Sequence, residues 1–527
     1  MITNFSTISE RLADAYSSRE AIVNIEKNRR FTFDQYHRLT NQIANMLHEQ
    51  VAVDKGDRYL CILDNDNLSL FSHLTVFKGH GCACYTNYRD SVDEHALQID
   101  KVEPKVVLIE NELLPSHFEM LKQKRKTIIA MDTPSAEYAA DGVLDFWNLM
   151  ATASEANPNV EHDDRKDTLL LRFTGGTTGQ GKCAAYSIDN WLACKDSFYS
   201  LPEPLWHPDV RMLHMAPLSH GSSMMVLATL FRGGCTITMN QPDLSAFCKN
   251  VENERINVSF LVPTVLYRLL EMDGSKKADL STLETVYYGA APMSPAKLHL
   301  LQNRFGNIFV QLYGATENAC VAISLSKQAH LVETDEDEAH LASAGIPVPG
   351  VEVRIVDEEG QSVSRGDIGE IWLRSRAICQ GYFHNAEATA KEFTQGYWKS
   401  ADMGYMDEHG YVYIVDRKKD MIISGGFNIY AVEVEAAINA HPAVMMSAVI
   451  GRPHEEWGEA VHAEVILSDN AGVDETEIID FVKTRLGRFK APKTVIFVAE
   501  LPTSVVGKVL RRNIREKYWK ATDRKVS

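Results

Sequence analysis

Two glycine-flanked lysines stand far apart in the chain. Lys182 ends the run Thr174-Gly175-Gly176-Thr177-Thr178-Gly179-Gln180-Gly181-Lys182, and Lys508 ends Pro502-Thr503-Ser504-Val505-Val506-Gly507-Lys508. The first run follows the apolar Leu169-Leu170-Leu171. That is the pattern of a strand emptying into a loop whose backbone N–H groups and hydroxyls wrap phosphate oxygens. A second such cation hundreds of residues later points to two domains closing on one nucleotide. Gly176-x4-Gly181-Lys182 nearly matches the phosphate loop whose next residue, Ser or Thr, holds magnesium. Here that residue is Cys183. A thiol is a poor ligand for a hard cation, which argues against a kinase-type or ATPase-type loop.

The chain's bulk properties limit what else it does. Its 527 residues correspond to roughly two to four domains, and 45% hydrophobic content is ordinary for a globular chain with large cores. The formal charge is −17 with no dense Lys/Arg block, which argues against nucleic acid or an anionic membrane as main partner. Anionic ligands must then be captured locally. The N-terminus lacks a basic stretch followed by an apolar core, and no run of about 18 apolar residues occurs, so a cytoplasmic protein without integral membrane association is expected. Nine scattered cysteines, with Cys82-Ala83-Cys84 the only tight pair, read as reduced and mostly buried thiols.

The elements that must position these loops are α/β in pattern. An amphipathic helix over Phe33 to Leu47 precedes a strand at Tyr59 to Leu63. Three strand-to-loop transitions follow, Leu169 to Gly175, Val258 to Pro263 and Val286 to Gly289. Ligands gather beyond the carboxyl ends of strands in open α/β sheets, so these loops should converge. The acidic Glu333 to Glu338 reads as a solvated loop or helix start without chemistry. From about 340 to 415 strand alternation with Gly-rich turns predicts a β-rich part, including Val351 to Val356 and Glu370 to Leu373. The expected organisation is a large N-terminal domain over 1–415 and a small α+β C-terminal domain over 416–527, joined at a hinge at Asp416.

The doubled Thr177-Thr178, Tyr313-Gly314-Ala315-Thr316-Glu317, Asp402, Asp416-Arg417 and Gly507-Lys508 occur in the order and approximate spacing of a known pattern. Over essentially its whole length the chain resembles the adenylate-forming superfamily of acyl-CoA synthetases, firefly luciferase and nonribosomal peptide adenylation domains. The resemblance implies that loop 174–182 holds the β- and γ-phosphates of ATP, with Lys182 neutralising charge. Gly289, Ala290 and Ala291 would line the adenine and carboxylate side, although Ser294-Pro295 beyond them is also a plain helix start. Tyr313 would stack on adenine. Thr316 would bind a phosphate and Glu317 hold Mg²⁺. Asp402 would accept the ribose hydroxyls and Arg417 add a ribose or phosphate contact. Lys508 would sit between the attacking carboxylate and the α-phosphate. In a second, rotated state Gly425 and Gly426 would flank the pantetheine arm of coenzyme A.

The chain departs from the family twice. Ser400-Ala401-Asp402 stands where Thr-Gly-Asp is usual, and Ala431 follows Tyr430 where proline is usual. For the acid, family position suggests a pocket of His220, Met224, Met225, Tyr288 and Gly289, with His220 as a gate. A lone histidine is as readily structural. Methionine pairs make an adaptable apolar wall that fits an apolar acid without selecting one. These readings imply an ATP- and Mg²⁺-dependent synthetase that converts a fatty or aryl acid through acyl-AMP to its coenzyme A thioester. The alternatives are delivery to a carrier-protein thiol or other acceptor, and an inactive nucleotide-binding regulator. The resemblance also implies a lysine acetyltransferase as a partner acting on Lys508, and it is compatible with a homodimer.

Overall fold

The computed structural model describes residues 1–174, 181–203, 207–272, 274–275, 278–319, 321–469, 471–504 and 507–519. Two large sheets dominate the N-terminal part. The first has eight strands among the described residues. Its parallel core is Arg58–Ile62, Cys82–Tyr85, Val106–Ile109, Thr127–Ala130 and Leu170–Phe173, with Cys183–Tyr186 and Gly381–Tyr382 added antiparallel at one edge. The second has nine, with Glu20–Asn24, Cys235–Thr238, Arg211–His214, Val258–Leu261, Thr285–Gly289 and Phe309–Tyr313 in parallel. These parallel strands are Val/Ile/Leu/Tyr-rich and buried, as sheets covered on both faces require. One core joins the sheets, in which Ile22, Met212 and Val310 of the second pack with Cys61, Tyr85 and Leu170 of the first.

Helix starts follow local chemistry. The helix expected from Phe33 runs Phe33–Glu49, begun by a capping box between Thr32 and Gln35. The acidic segment becomes the short helix Asp335–His340, capped by Thr334, whose first turn carries the negative charge favoured there. All described cysteines are free and buried, while Cys320 lies outside the described residues. No helix among the described residues is long and apolar enough to cross a membrane.

Residues 352–417 form a five-stranded antiparallel sheet. Its last strand, Val412–Arg417, leads into a smaller C-terminal domain with its own sheet (Ile422–Ser424, Phe427–Ile429, Val444–His454, Gly458–Leu467, Thr494–Phe497). Helices Ala431–Asn439 and Glu475–Lys490 cover it, and Val434, Ile438, Val449, Val465, Ile478 and Val482 fill its core. Its long strand turns Met446, Ala448 and Ile450 toward Leu266 and Leu298 of the N-terminal part, so an apolar contact docks one domain on the other.

Asp416 sits at the crossing point and is buried. Its carboxylate accepts from the Arg417 N–H at 2.8 Å, the Ala431 N–H at 2.8 Å and Arg511 Nη1 at 3.1 Å. A proline at position 431 would have no N–H to give, so the departure from the family adds a bond at this junction. Burial pushes the Asp416 carboxyl above its ordinary range, with Arg511 pulling it back down. Arg511 also binds Glu435 through Nε at 2.9 Å and Nη2 at 2.6 Å. Arg511→Ala leaves buried carboxylates uncompensated, so it is expected to destabilise the C-terminal domain by about 3–5 kcal/mol. Urea unfolding followed by limited proteolysis near residue 416 measures this, and an unchanged midpoint would contradict it.

Candidate active site

The three strand-to-loop transitions meet at one cleft of about 3270 Å³ between the domains, lined by Thr174, Pro263, Ala290, Tyr313, Asp402 and Lys508 among others. The convergence spans both large sheets, since the strand ending at Phe173 belongs to the first and the strands ending at Leu261 and Gly289 to the second.

The phosphate-type loop is closed at its base, where the Thr174 N–H donates to the Lys182 carbonyl at 2.8 Å. Gly175, Gly176, Thr177, Thr178 and Gly179 lie outside the described residues. Lys182 pairs with Glu392 and lies 4.8 Å from the centroid of the Tyr382 ring. The Tyr382 hydroxyl lies 2.8 Å from Glu317 Oε1 and 2.6 Å from Glu392 Oε2. One hydroxyl hydrogen can serve only one of these oxygens fully. Burial also holds the Glu317 carboxyl above its ordinary value. The result is a buried carboxylate short of positive charge beside a lysine. Strand pairing of Tyr382 with Ala184 places the tyrosine next to Lys182, and the Cys379 N–H fixes the Glu317 carbonyl at 2.8 Å. Thr316 is held by its carbonyl, which accepts from Tyr186.

Opposite lies the pair Asp402 and Arg417, directly across from each other on neighbouring strands and 3.2 Å apart from Oδ1 to Nε. Tyr313 donates its hydroxyl to Asp402 Oδ2 at 2.7 Å. Ala401 has φ +57°, the left-handed region where the family's glycine would be unstrained. The turn persists because Ala401 N–H donates to Glu370 at 3.1 Å and Asp402 N–H to Ser400 Oγ at 3.0 Å. The departure therefore leaves the carboxylate in place.

Lys508 reaches this cleft from the C-terminal domain. Its loop folds on itself through Ser504 N–H to the Lys508 carbonyl at 2.7 Å, and it meets the N-terminal part where Thr264 Oγ1 donates to the Gly507 carbonyl at 2.7 Å. Gly507 has φ +81°, and a Cβ there would come within 3.1 Å of Val262. Burial lowers the Lys508 amine to about 8. Arg417 pushes the same way and Asp402 opposes. Gly425 and Gly426 form the exposed tip of a hairpin on the C-terminal domain and do not line the cleft in this arrangement.

The acid-pocket residues divide. His220 and Met224 line the cleft, as do Ala290 and Ala291. Met225 and Tyr288 do not. Both are fully buried, and Tyr288 points into the core on the far face of its strand, donating its hydroxyl to Gln311 Oε1 at 2.9 Å and lying 2.9 Å from His330 Nε2. Strand alternation explains it, because neighbouring residues face opposite sides of a sheet. Gly289 is also behind the wall, where a Cβ would strike the Leu312 carbonyl oxygen at 2.2 Å, so it serves close strand packing. Sequence reading missed Tyr382, Glu392 and Thr264, because each acts through a partner more than 60 residues away or, for Glu392, through Tyr382 and the distant Lys182.

Residues 9–383 match the AMP-binding enzyme family and residues 433–508 the AMP-binding enzyme C-terminal domain. The chain is an AMP-binding enzyme. Similar proteins include a medium/long-chain-fatty-acid–CoA ligase of Mycobacterium tuberculosis, 38% identical over 389 residues, which are 72% of this chain and 67% of that one. ATP-bound MatB of Rhodopseudomonas palustris superposes with TM-score 0.85 at 28% identity, covering 99% of this chain and 100% of that one. The amide bond synthetase McbA of Marinactinospora thermotolerans does so with TM-score 0.85 at 26% identity, covering 98% and 99%.

In this AMP-binding enzyme His220 is kept neutral. Burial first, and the nearby Arg172 charge second, lower its imidazole to about 4, while Ser219 Oγ lies 3.0 Å from Nδ1. Its ring is therefore expected to remain unprotonated from pH 8 down to about 5. An NMR titration of the His220 ring protons showing a midpoint near 6.5 would contradict this placement.

Proposed function

We propose that this AMP-binding enzyme is an ATP-dependent acid–CoA ligase. A carboxylic acid attacks the α-phosphate of ATP, pyrophosphate leaves, and the acyl-AMP then passes its acyl group to the thiol of coenzyme A. The observation that carries this reading is the Lys508 amine, brought by the C-terminal domain into a cleft already holding the Tyr313–Asp402–Arg417 group on one side and Lys182 on the other. A nucleotide-binding regulator needs no such cation at the reacting centre.

Asp402 and Arg417 take the ribose, Tyr313 flanks the base, and Lys182 with loop 174–182 neutralises the outer phosphates. Glu317 fits a magnesium ion. It is a buried carboxylate short of positive charge, and no cluster of three metal-binding side chains exists among the described residues. Magnesium takes one or two carboxylates and completes its shell with phosphate oxygens and water. When bound, the ion would neutralise triphosphate charge at Glu317. Asp416 is the hinge about which the C-terminal domain turns, and Gly425-Gly426 then admits the thiol arm. An acetyltransferase would reach the Lys508 amine only with that domain turned away. The cytoplasm is the expected compartment.

Lys508 serves only the first half-reaction. Its ammonium offsets the charge gathering between attacking carboxylate and phosphorus. Lys508→Ala is expected to slow acid-dependent pyrophosphate release by about 10²–10³-fold while leaving transfer from preformed acyl-AMP to coenzyme A nearly intact. Equal loss of both halves would refute the role. The amine is charged below about pH 8 and neutral above it. The kcat/KM profile of adenylation should therefore fall as pH rises through about 8, and the transfer step should lack that limb.

The fold is shared with an amide bond synthetase, so the acceptor needs its own test. Pyrophosphate release over short, medium, long and aromatic acids, with and without coenzyme A, provides it. Thioester formation from at least one acid is expected. Acid-dependent release with no thioester would move the assignment to another acceptor.

A further inference from the structure

Arg172 is on the strand Leu170–Phe173, directly before the phosphate-type loop, and only 3% of its surface is exposed. It lines the cleft beside Ser219, His220 and Met224. Its Nε and Nη2 both donate to the Ser219 carbonyl oxygen, at 3.2 and 3.0 Å, and its guanidinium lies 5.5 Å from the centroid of the Trp191 ring. Among the described residues no carboxylate pairs with it, and its Nη1 makes no hydrogen bond. Burying a cation without an anion costs several kcal/mol. Fixing one loop carbonyl needs no permanent charge at that depth.

Among the described residues the surroundings supply no anion. His220 and His73 lie close enough for the guanidinium to help keep both neutral, and among the described residues His73 finds no hydrogen-bond partner for either ring nitrogen. Met224, Phe260, Val262 and Leu312 add apolar side chains to the lining of the same cleft, which Lys508 also lines. A buried cation lining the same cleft as the Lys508 amine suits a ligand with a carboxylate at each end, since an arginine fork pairs with a carboxylate through two N–H groups.

We infer that Arg172 is a specificity-determining residue and that the acid taken by this enzyme is a dicarboxylic acid, one carboxylate reacting near Lys508 and the other held by the Arg172 guanidinium. The inference rests on the acid-activating reading above and narrows its substrate class. A site built to hydrogen-bond a polar group rejects the analogue lacking it, because its own buried groups then stay unpaired.

Two matched pairs test it, hexanoate against adipate and benzoate against terephthalate, in acid-dependent pyrophosphate release by the full chain. The dicarboxylic member of at least one pair is expected to have the higher kcat/KM, by about 10²-fold or more. Arg172→Met should remove that preference by lowering kcat/KM far more for the diacid than for the monoacid, and Arg172→Lys should retain part of it. Preference of the wild type for both monoacids would overturn the inference. So would an equal loss on both members of a pair in Arg172→Met, which would assign the guanidinium to the reacting carboxylate or to the Ser219 loop. Thermal-shift measurements with each acid read binding without turnover. If no acid supports pyrophosphate release, the acid-activating reading fails. Stabilisation of the wild type but not of Arg172→Met by adipate or terephthalate would still support the arginine's role, and its absence for both diacids would sink it.

Discussion

A lysine amine carried out of water into a cleft between two domains is the constraint on which the remaining structure depends. Desolvation favours its neutral form, and the neighbouring Arg417 adds to that penalty. The amine keeps a useful charge because Asp402 faces it, and Asp402 is in turn fixed by Tyr313 and by its cross-strand partner. Delivery is equally constrained. The Thr264 hydroxyl on the Gly507 carbonyl fixes the loop, the apolar contact around Met446 and Leu266 fixes the domain, and the buried Asp416–Arg511 contact fixes the angle of the chain between them. These contacts belong to a docked arrangement. Because each is small or local, they would let the domain leave between half-reactions on the proposed two-step reading.

The opposite wall follows a different electrostatic logic. Lys182 is a cation already paired with Glu392, and Glu317 is a carboxylate with half a hydroxyl hydrogen. On the proposed reading a triphosphate entering such a wall would compete with Glu392 for the lysine and bring oxygen atoms able to share a divalent ion with Glu317. Binding there would be an exchange of partners, with Lys182 paired to Glu392 until the phosphate arrives.

Much of this was legible in the chain because it is local. The capping box at Thr32, the strand ends at Phe173, Leu261 and Gly289, and the α/β layering all express short-range pattern. Asp402, Arg417 and Lys508 were found as motif residues, and the cleft brings them together. What stayed hidden depends on pairing between distant segments. Tyr382 reaches Lys182 only because an antiparallel strand joins 381–382 to 183–186, and nothing near either position announces it. Met225 and Tyr288 were assigned to the pocket by position in a motif, but their side chains face the core, a distinction set by one residue of strand or helix phase.

Arg172 shows the reverse case, a residue that no motif marks although it lies directly before the phosphate-type loop. In sequence it is a charge inside an apolar run, which suggests a strand end or an exposed edge. In the fold that strand lies between Cys82–Tyr85 and Cys183–Tyr186, so the arginine has no edge to reach and must be buried between the sheets. A charge retained at the centre of a sheet, bonded to one loop carbonyl and open to the same cleft as Lys508, is costly unless an occupant of the cleft neutralises it. The two cations then delimit the acid from both ends. Lys508 comes from the C-terminal domain, whereas Arg172 is fixed in a sheet of the N-terminal part, so the acid would be held between cations contributed by two parts of the molecule.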